Sequence, residues 1–94
     1  MAVPSPDLKL EIKNLILKTL DIQNISPADI DEAKPLFGGG NTLTLDSVDA
    51  IEIIMAIQRT YGIRIADQVV AREVVRSVNS MSQFIAEQQA NHSS

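Results

Sequence analysis

Hydrophobic residues recur at helical spacing in three stretches of this chain. In the first stretch, Leu8, Ile12 and Leu15 fall on one face, which predicts an amphipathic helix over residues 7–20. The preceding pair Ser5-Pro6 is a common helix start, because a serine oxygen can accept a first-turn N–H group and proline suits the first helical position. We therefore expect a helix here that presents one apolar side to a core.

The most hydrophobic of the three helices is predicted in the middle of the chain, over residues 46–61. Asp46 or Ser47 can cap it, because either side-chain oxygen can accept a first-turn N–H group, and Gly62 suits its C-terminal end. One apolar stripe on this helix consists of Ala50, Ile53, Ile54, Ile57 and Tyr61. A second stripe, which we call the apolar ridge, lies on another side and consists of Val48, Ile51 and Met55. A helix packed on a single core needs one stripe, so the apolar ridge is predicted to be partly exposed.

The last part of the chain is less regular. Residues 63–65 alternate like a strand but are too few to form a sheet without a partner, so an extended segment is expected. Residues 69–75 are rich in β-branched side chains and fit either a short helix or a strand, which periodicity does not decide. Asn79 or Ser80 is predicted to cap a last helix. Its apolar face contains Met81, Phe84 and Ile85.

Residues 21–45 form a long connection for so small a domain, and their scattered apolar residues are predicted to hold it against the core. The pair Ser26-Pro27 predicts the start of a single helical turn. Residues 38–42 include a glycine run, but they lack the Gly-Lys-Ser/Thr ending of a phosphate-binding loop and no clear strand precedes them. We interpret this segment as a flexible hinge before the central helix.

Helices joined by loops, without a convincing pair of strands, predict an all-α domain of three long helices plus one short helix. We expect residues 1–94 to be a single monomeric domain, with a folded core over about 7–88 and loose ends at 1–5 and 90–94. The net charge of −4 argues against nucleic acid as a partner. Apolar runs are too short to span a membrane and no secretory signal is visible, so a cytoplasmic location is predicted.

The side chains that usually perform catalysis are scarce. There is no cysteine, and the single histidine, His92, lies in the predicted loose end. Asp46, Asp49 and Glu52 lack the alternating ligands and central glycine of a calcium loop, and no His-Asp-Glu spacing fits another metal site. A non-catalytic protein without a metal is therefore expected.

The start of the central helix resembles a known family. Asp46-Ser47-Val48, followed by Asp49, Ile51, Glu52, Met55 and Ala56, resembles the Asp-Ser-Leu region of acyl carrier proteins. The resemblance extends over about residues 8–87 and implies the acyl-carrier bundle, with a short helix near residues 71–75. It also implies that Ser47, next to Asp46, carries 4′-phosphopantetheine, which a phosphopantetheinyl transferase takes from coenzyme A. The thiol of that arm would hold acyl groups as thioesters.

The resemblance also assigns a role to the apolar ridge, because the family uses the corresponding positions to meet its partner enzymes. Partners of this kind are ketosynthases, acyltransferases and related acyl-handling enzymes. The predicted docking residues are Val48, Asp49, Ile51, Glu52, Met55 and Arg59.

The sequence departs from the family at the end of the central helix. Gln58, Arg59 and Thr60 stand where typical fatty-acid carriers are strongly acidic. This departure predicts a specialised carrier, for example of a polyketide-type pathway, rather than the housekeeping fatty-acid carrier. The alternative is a small helical adaptor that is never modified, which needs only the amphipathic helices and the apolar ridge.

Overall fold

The computed structural model describes residues 5–37 and 45–92, and within them it is all-helical. The four helices are α1 (Pro6–Thr19), α2 (Ser47–Tyr61), α3 (Gln68–Val74) and α4 (Val78–His92), with a 3-10 turn at Pro27–Asp29 between α1 and α2. In these residues the only extended pairing is an isolated bridge between Phe37 and Leu45. The predicted class, three long helices plus one short helix, is confirmed. The predicted hinge at 38–42 lies outside the described residues.

α1 forms as its local sequence predicts, within one residue at each end. Ser5 Oγ accepts the N–H of Leu8 at 3.1 Å, and proline occupies the first turn. Ile12 and Ile16 are fully buried, whereas Leu15 lies at the edge of the core and is partly buried.

α2 contributes the centre of the core through one of its two predicted stripes. Ile53 and Ile57 are buried, with Ala50, Ile54 and Tyr61 packed around them and partly exposed. The helix ends at Gly62, whose φ of +65° is the left-handed conformation that side chains with a Cβ rarely adopt.

α3 resolves the ambiguity between helix and strand at residues 69–75. Asp67 Oδ1 accepts the N–H of Val69 at 2.8 Å, so the helix begins at Gln68, three residues before the start that the family resemblance implied. This polar cap sets the start of α3. The β-branched composition of the segment does not predict that start.

α4 begins earlier than predicted, and the predicted cap was wrong. Ser80 donates its N–H to Ser77 Oγ at 3.1 Å, and Ser77 donates its N–H to Ser80 Oγ at 2.9 Å. This reciprocal pair makes Ser77 the cap and places Asn79 and Ser80 inside the first turn. The helix then buries Met81 and Ile85, with Phe84 partly buried, and continues to His92, past the predicted boundary at residue 88.

The long connection before α2 is held against the bundle at several points. Lys13 of α1 forms an ion pair with Glu32 at 2.8 Å, and the backbone carbonyl of Glu32 accepts the N–H of Asn79 at 3.0 Å. Leu36 is fully buried and donates its N–H to the backbone carbonyl of Arg76 at 2.9 Å. The N–H of Leu45 in turn bonds to the carbonyl of Leu36 at 3.1 Å, so these contacts fix the position at which α2 begins.

The core is aliphatic. Ile12, Ile53, Ile57 and Ile85 of the predicted apolar faces are buried, as is Ile16. Leu15, Ile54, Tyr61 and Phe84 pack partly buried against this core. No helix within residues 5–37 and 45–92 has the length and hydrophobicity that crossing a membrane would require.

Candidate functional site

The first turn of α2 is closed by Asp46 and not by Ser47. Asp46 Oδ1 accepts the N–H of Asp49 at 2.9 Å, and Asp49 Oδ2 accepts the N–H of Asp46 at 3.2 Å. This capping box settles which of the two neighbouring residues caps the helix. Ser47 is the first helical residue, is exposed, and its hydroxyl has no hydrogen-bond partner among the described residues.

The backbone next to Ser47 favours an anion. The N–H groups of Asp49 and Ala50 bond to Asp46, whereas those of Ser47 and Val48 have no acceptor within the described residues. Unpaired first-turn N–H groups and the positive end of the helix dipole stabilise negative charge by about 0.3–1 kcal/mol at an exposed site. A phosphate ester on the Ser47 hydroxyl therefore fits this position.

Two shallow clefts, which we call the Ser47 clefts, lie between the start of α2 and α3. The cleft of about 350 Å³ is lined by Phe37, Leu45, Asp46, Ser47, Ala50, Arg72 and Val75. The cleft of about 270 Å³ is lined by Ser47, Ala50, Ile51, Ile54, Gln68, Ala71, Arg72 and Val75. Because four residues line both, the two clefts are neighbours with Ser47 at their junction. Their walls are mainly apolar.

The apolar ridge is exposed, as predicted. Val48, Ile51 and Met55 keep 62%, 58% and 56% of their surface accessible, whereas Ile53 on the opposite stripe keeps 1%. Glu52 and Arg59 are also exposed on α2, and Asp49 is half-buried because it takes part in the capping box. The structure thus places every residue of the predicted site on one helix, with Ser47 at its N-terminal end.

The perturbed acid and base groups lie elsewhere. Burial, assisted by the neighbouring Glu11, raises the pKa of Tyr61 to about 12, and this residue stands at the far end of α2. The hydrogen bond and charge of Lys13 lower the pKa of Glu32, in the connection between α1 and α2. Neither group lines the Ser47 clefts, and no cluster of metal-ligating side chains is found in the described parts of the chain.

Sequence reasoning missed the α3 side of the site. The sequence pattern does not single out Arg72, and it places Val75 only in a β-branched segment, yet both line the two Ser47 clefts. No local pattern could have identified them, because their approach to Ser47 depends on the placement of α3 against α2.

Comparison with known proteins agrees with this geometry. The sequence model of the family described as Phosphopantetheine attachment site matches residues 11–85. The chain is 28% identical, over 78 residues, to "Acyl carrier protein 2, mitochondrial" of Arabidopsis thaliana. That match covers 83% of this chain and 59% of the relative, so the chain spans about three-fifths of the relative's length.

Proposed function

This chain belongs to the phosphopantetheine-attachment family, and on that premise we propose that it is an acyl carrier whose 4′-phosphopantetheine arm is attached at Ser47. The observation that carries the proposal is that two neighbouring residues, Asp46 and Ser47, have different roles at the start of α2. Asp46 caps α2, so the exposed hydroxyl of Ser47 is left free at a position that favours an anion.

The family's covalent group, once attached, supplies a terminal thiol that can hold an acyl group as a thioester, a function for which a chain without cysteine has no side chain of its own. The chain itself supplies the attachment oxygen and the N–H groups of Ser47 and Val48, which have no acceptor among the described residues and would stabilise the negative charge of the phosphodiester. We infer that the protein carries bound intermediates and leaves the chemistry to other enzymes.

Attachment itself needs a partner. Ser47 Oγ must form a bond to the phosphorus that carries the pantetheine part of coenzyme A, while the bond from that phosphorus to the adenosine phosphate breaks. The proton of Ser47 must leave at the same time. Since no base lines the Ser47 clefts apart from the carboxylate of Asp46, which is engaged in the capping box, a phosphopantetheinyl transferase is proposed to accept it.

The apolar ridge is proposed as the surface on which that transferase, and later a ketosynthase or acyltransferase, docks. Its three side chains are more than half exposed and stand beside the charged Glu52 and Arg59. A small apolar patch with a charged rim is typical of transient protein interfaces. Asp49, whose side chain takes part in the capping box, is proposed to belong to the same docking surface.

The attachment is tested by the intact mass after incubation with coenzyme A and a broad-specificity transferase. Wild type should gain one phosphopantetheine, and Ser47→Ala should gain none while keeping its helical circular dichroism, because Asp46 still caps α2. Ser26→Ala is a matched control, since Ser26 is also an exposed serine before a helical turn. It should be labelled like wild type.

Two outcomes would contradict the proposal. Labelling that persists in Ser47→Ala would place the arm on another residue. A wild type that no transferase labels would favour the unmodified adaptor, which uses the apolar ridge alone.

We further propose that the carrier serves a specialised pathway, because Arg59 is a cation on the exposed side of α2 where acidic carriers have negative charge. Arg59→Glu should leave the free energy of unfolding within about 0.5 kcal/mol of wild type, as most exposed substitutions do. It should improve acyl transfer from enzymes that serve acidic carriers, measured as a transfer rate at several salt concentrations. A transfer rate that does not change would remove this support for a specialised pathway.

A further inference from the structure

We propose that Arg72 of α3 is a positioning residue that binds the phosphodiester attached to Ser47 and directs the arm into the groove between α2 and α3. The inference rests on the proposed attachment at Ser47. It concerns a residue of a different helix, and it goes beyond the attachment itself by fixing the direction in which the arm leaves the protein.

The geometry that supports it is the overlap of the two Ser47 clefts. Both are lined by Ser47, Ala50, Arg72 and Val75, so Arg72 of α3 borders the same two clefts as the residue proposed for attachment. A phosphate bonded to Ser47 Oγ is held at that junction by its covalent link. Arg72 is the one cationic residue among those that line either cleft.

The charges around Ser47 show why a cation is needed. A phosphodiester there stands beside the carboxylate of Asp46, with Asp49 in the same first turn of α2 and Glu52 in the next turn. The unpaired N–H groups of the helix offset part of this repulsion, and a guanidinium across the cleft would offset more. Arginine suits the task, because its planar fork can donate two parallel hydrogen bonds to phosphate oxygens.

Arg72 is available for this contact. Its side chain is exposed, and among the described residues it forms no ion pair. Lys9 and Lys13 of α1, by contrast, pair with Glu32. The bland explanation is that Arg72 is a solvated cation, placed near the C-terminal end of α3 because the helix dipole favours positive charge there. The two explanations differ in what happens to the arm when the charge is removed.

The contact selects one of two paths from Ser47. One path runs over the exposed apolar ridge, and the other runs along the Ser47 clefts past Ala50, Ile54 and Val75. A phosphate bound to Arg72 starts the arm on the second path and leaves the apolar ridge uncovered for a partner.

The test uses the phosphopantetheine-loaded protein in four forms: wild type, Arg72→Gln, Arg72→Lys and Arg76→Gln. Arg76→Gln is the matched control, because Arg76 is also an exposed arginine just after α3 and lines neither Ser47 cleft. The readouts are the ³¹P resonance of the phosphodiester and the cross-relaxation between arm protons and the methyl groups of Ala50 and Val75, each recorded at low and high salt.

In Arg72→Gln, the ³¹P resonance should move toward that of the same phosphodiester in the unfolded protein, and the cross-relaxation should weaken about two- to fivefold, the range expected for an exposed ion pair. Arg72→Lys should be intermediate, because it keeps the charge and loses the fork. Arg76→Gln should match wild type, and high salt should shift wild type toward Arg72→Gln.

The proposal is overturned if Arg72→Gln and wild type give the same ³¹P resonance and the same cross-relaxation, or if Arg76→Gln changes both equally. If Arg72→Gln unfolds, the salt titration of wild type still tests the proposal. A ³¹P resonance that does not respond to salt contradicts an ion pair between Arg72 and the phosphodiester. The intact mass is read first. A wild type that is not labelled rejects the attachment at Ser47, whereas a labelled protein with an unchanged ³¹P resonance rejects only the role of Arg72.

Discussion

Asp46 and Ser47 are neighbours in the chain, but only the side chain of Asp46 caps α2. Its carboxylate closes the first turn of α2, and the hydroxyl of Ser47 remains exposed. The sequence alone left both residues as possible caps, because aspartate and serine have similar preferences for that position. The capping box with Asp49 identifies Asp46 as the cap.

Tyr61 provides a prediction at the scale of one residue. Its hydroxyl donates to Glu11 Oε1 at 3.4 Å, and burial together with that carboxylate raises its pKa to about 12, against an ordinary value of about 10. The raised pKa favours the protonated folded form, so this contribution to stability is complete below pH 10 and is lost as pH rises toward 12. Because the chain has a single tyrosine, ultraviolet absorbance of tyrosinate reports this group alone.

We expect the absorbance midpoint near pH 12 in the folded protein. Glu11→Gln should lower the midpoint while leaving it above 10, because burial, the larger cause, remains. A midpoint near 10 in folded wild type would show that Tyr61 is open to solvent.

At the scale of the element, α2 has one apolar stripe in the core and a second, exposed stripe that we propose as a docking surface. Ile51 lies on the apolar ridge and Ile53 lies in the core, two positions apart on the same helix. Ile51→Glu should change the free energy of unfolding by no more than about 0.5 kcal/mol, since its charge stays hydrated. Ile53→Glu, the matched variant, should unfold the domain, because a buried unpaired charge costs several kcal/mol.

Circular dichroism during thermal unfolding measures both effects, and the rate of labelling at Ser47 measures docking. Ile51→Glu should fold and be labelled more slowly than wild type. If it unfolds instead, the apolar ridge is covered in solution and is not a docking surface.

The elements differ in how far the sequence predicted them. α1 and α2 have regular apolar spacing, clear caps and a terminal Gly62, so their bounds were predicted within one residue. α3 is short and rich in β-branched residues, and its start depends on the bond from Val69 to Asp67. The start of α4 depends on the pair Ser77 and Ser80, in a segment where several polar residues compete for the same role.

At the scale of the whole molecule, stability depends on a small aliphatic core. Ile57 is fully buried and packs at its centre. Ile57→Ala should lower the free energy of unfolding by about 2–5 kcal/mol, a large part of what a small domain has. Met55→Ala is the control, since Met55 is 56% exposed on the same helix and should cost much less. Urea unfolding gives both values, and equal losses would place Ile57 outside the core.

The candidate site was predictable where it depends on one helix and not where it depends on the assembled bundle. Ser47 and the apolar ridge share α2. Spacing along that helix predicted the apolar ridge, and the family resemblance of the segment that begins at Asp46 pointed to Ser47. Arg72 lines the Ser47 clefts only because α3 is placed beside the start of α2. A monomeric state, a cytoplasmic location and the domain bounds remain predictions from the sequence.

The position of the arm is the central claim, and fragmentation of the labelled protein in a mass spectrometer measures it directly. After incubation with coenzyme A and a transferase, the added mass should be found on the fragment that contains Ser47, and further fragmentation should assign it to that residue. The same fragment from Ser47→Ala should be unmodified. Added mass on another serine, or a wild type that gains no mass while its fold is intact, would contradict the account.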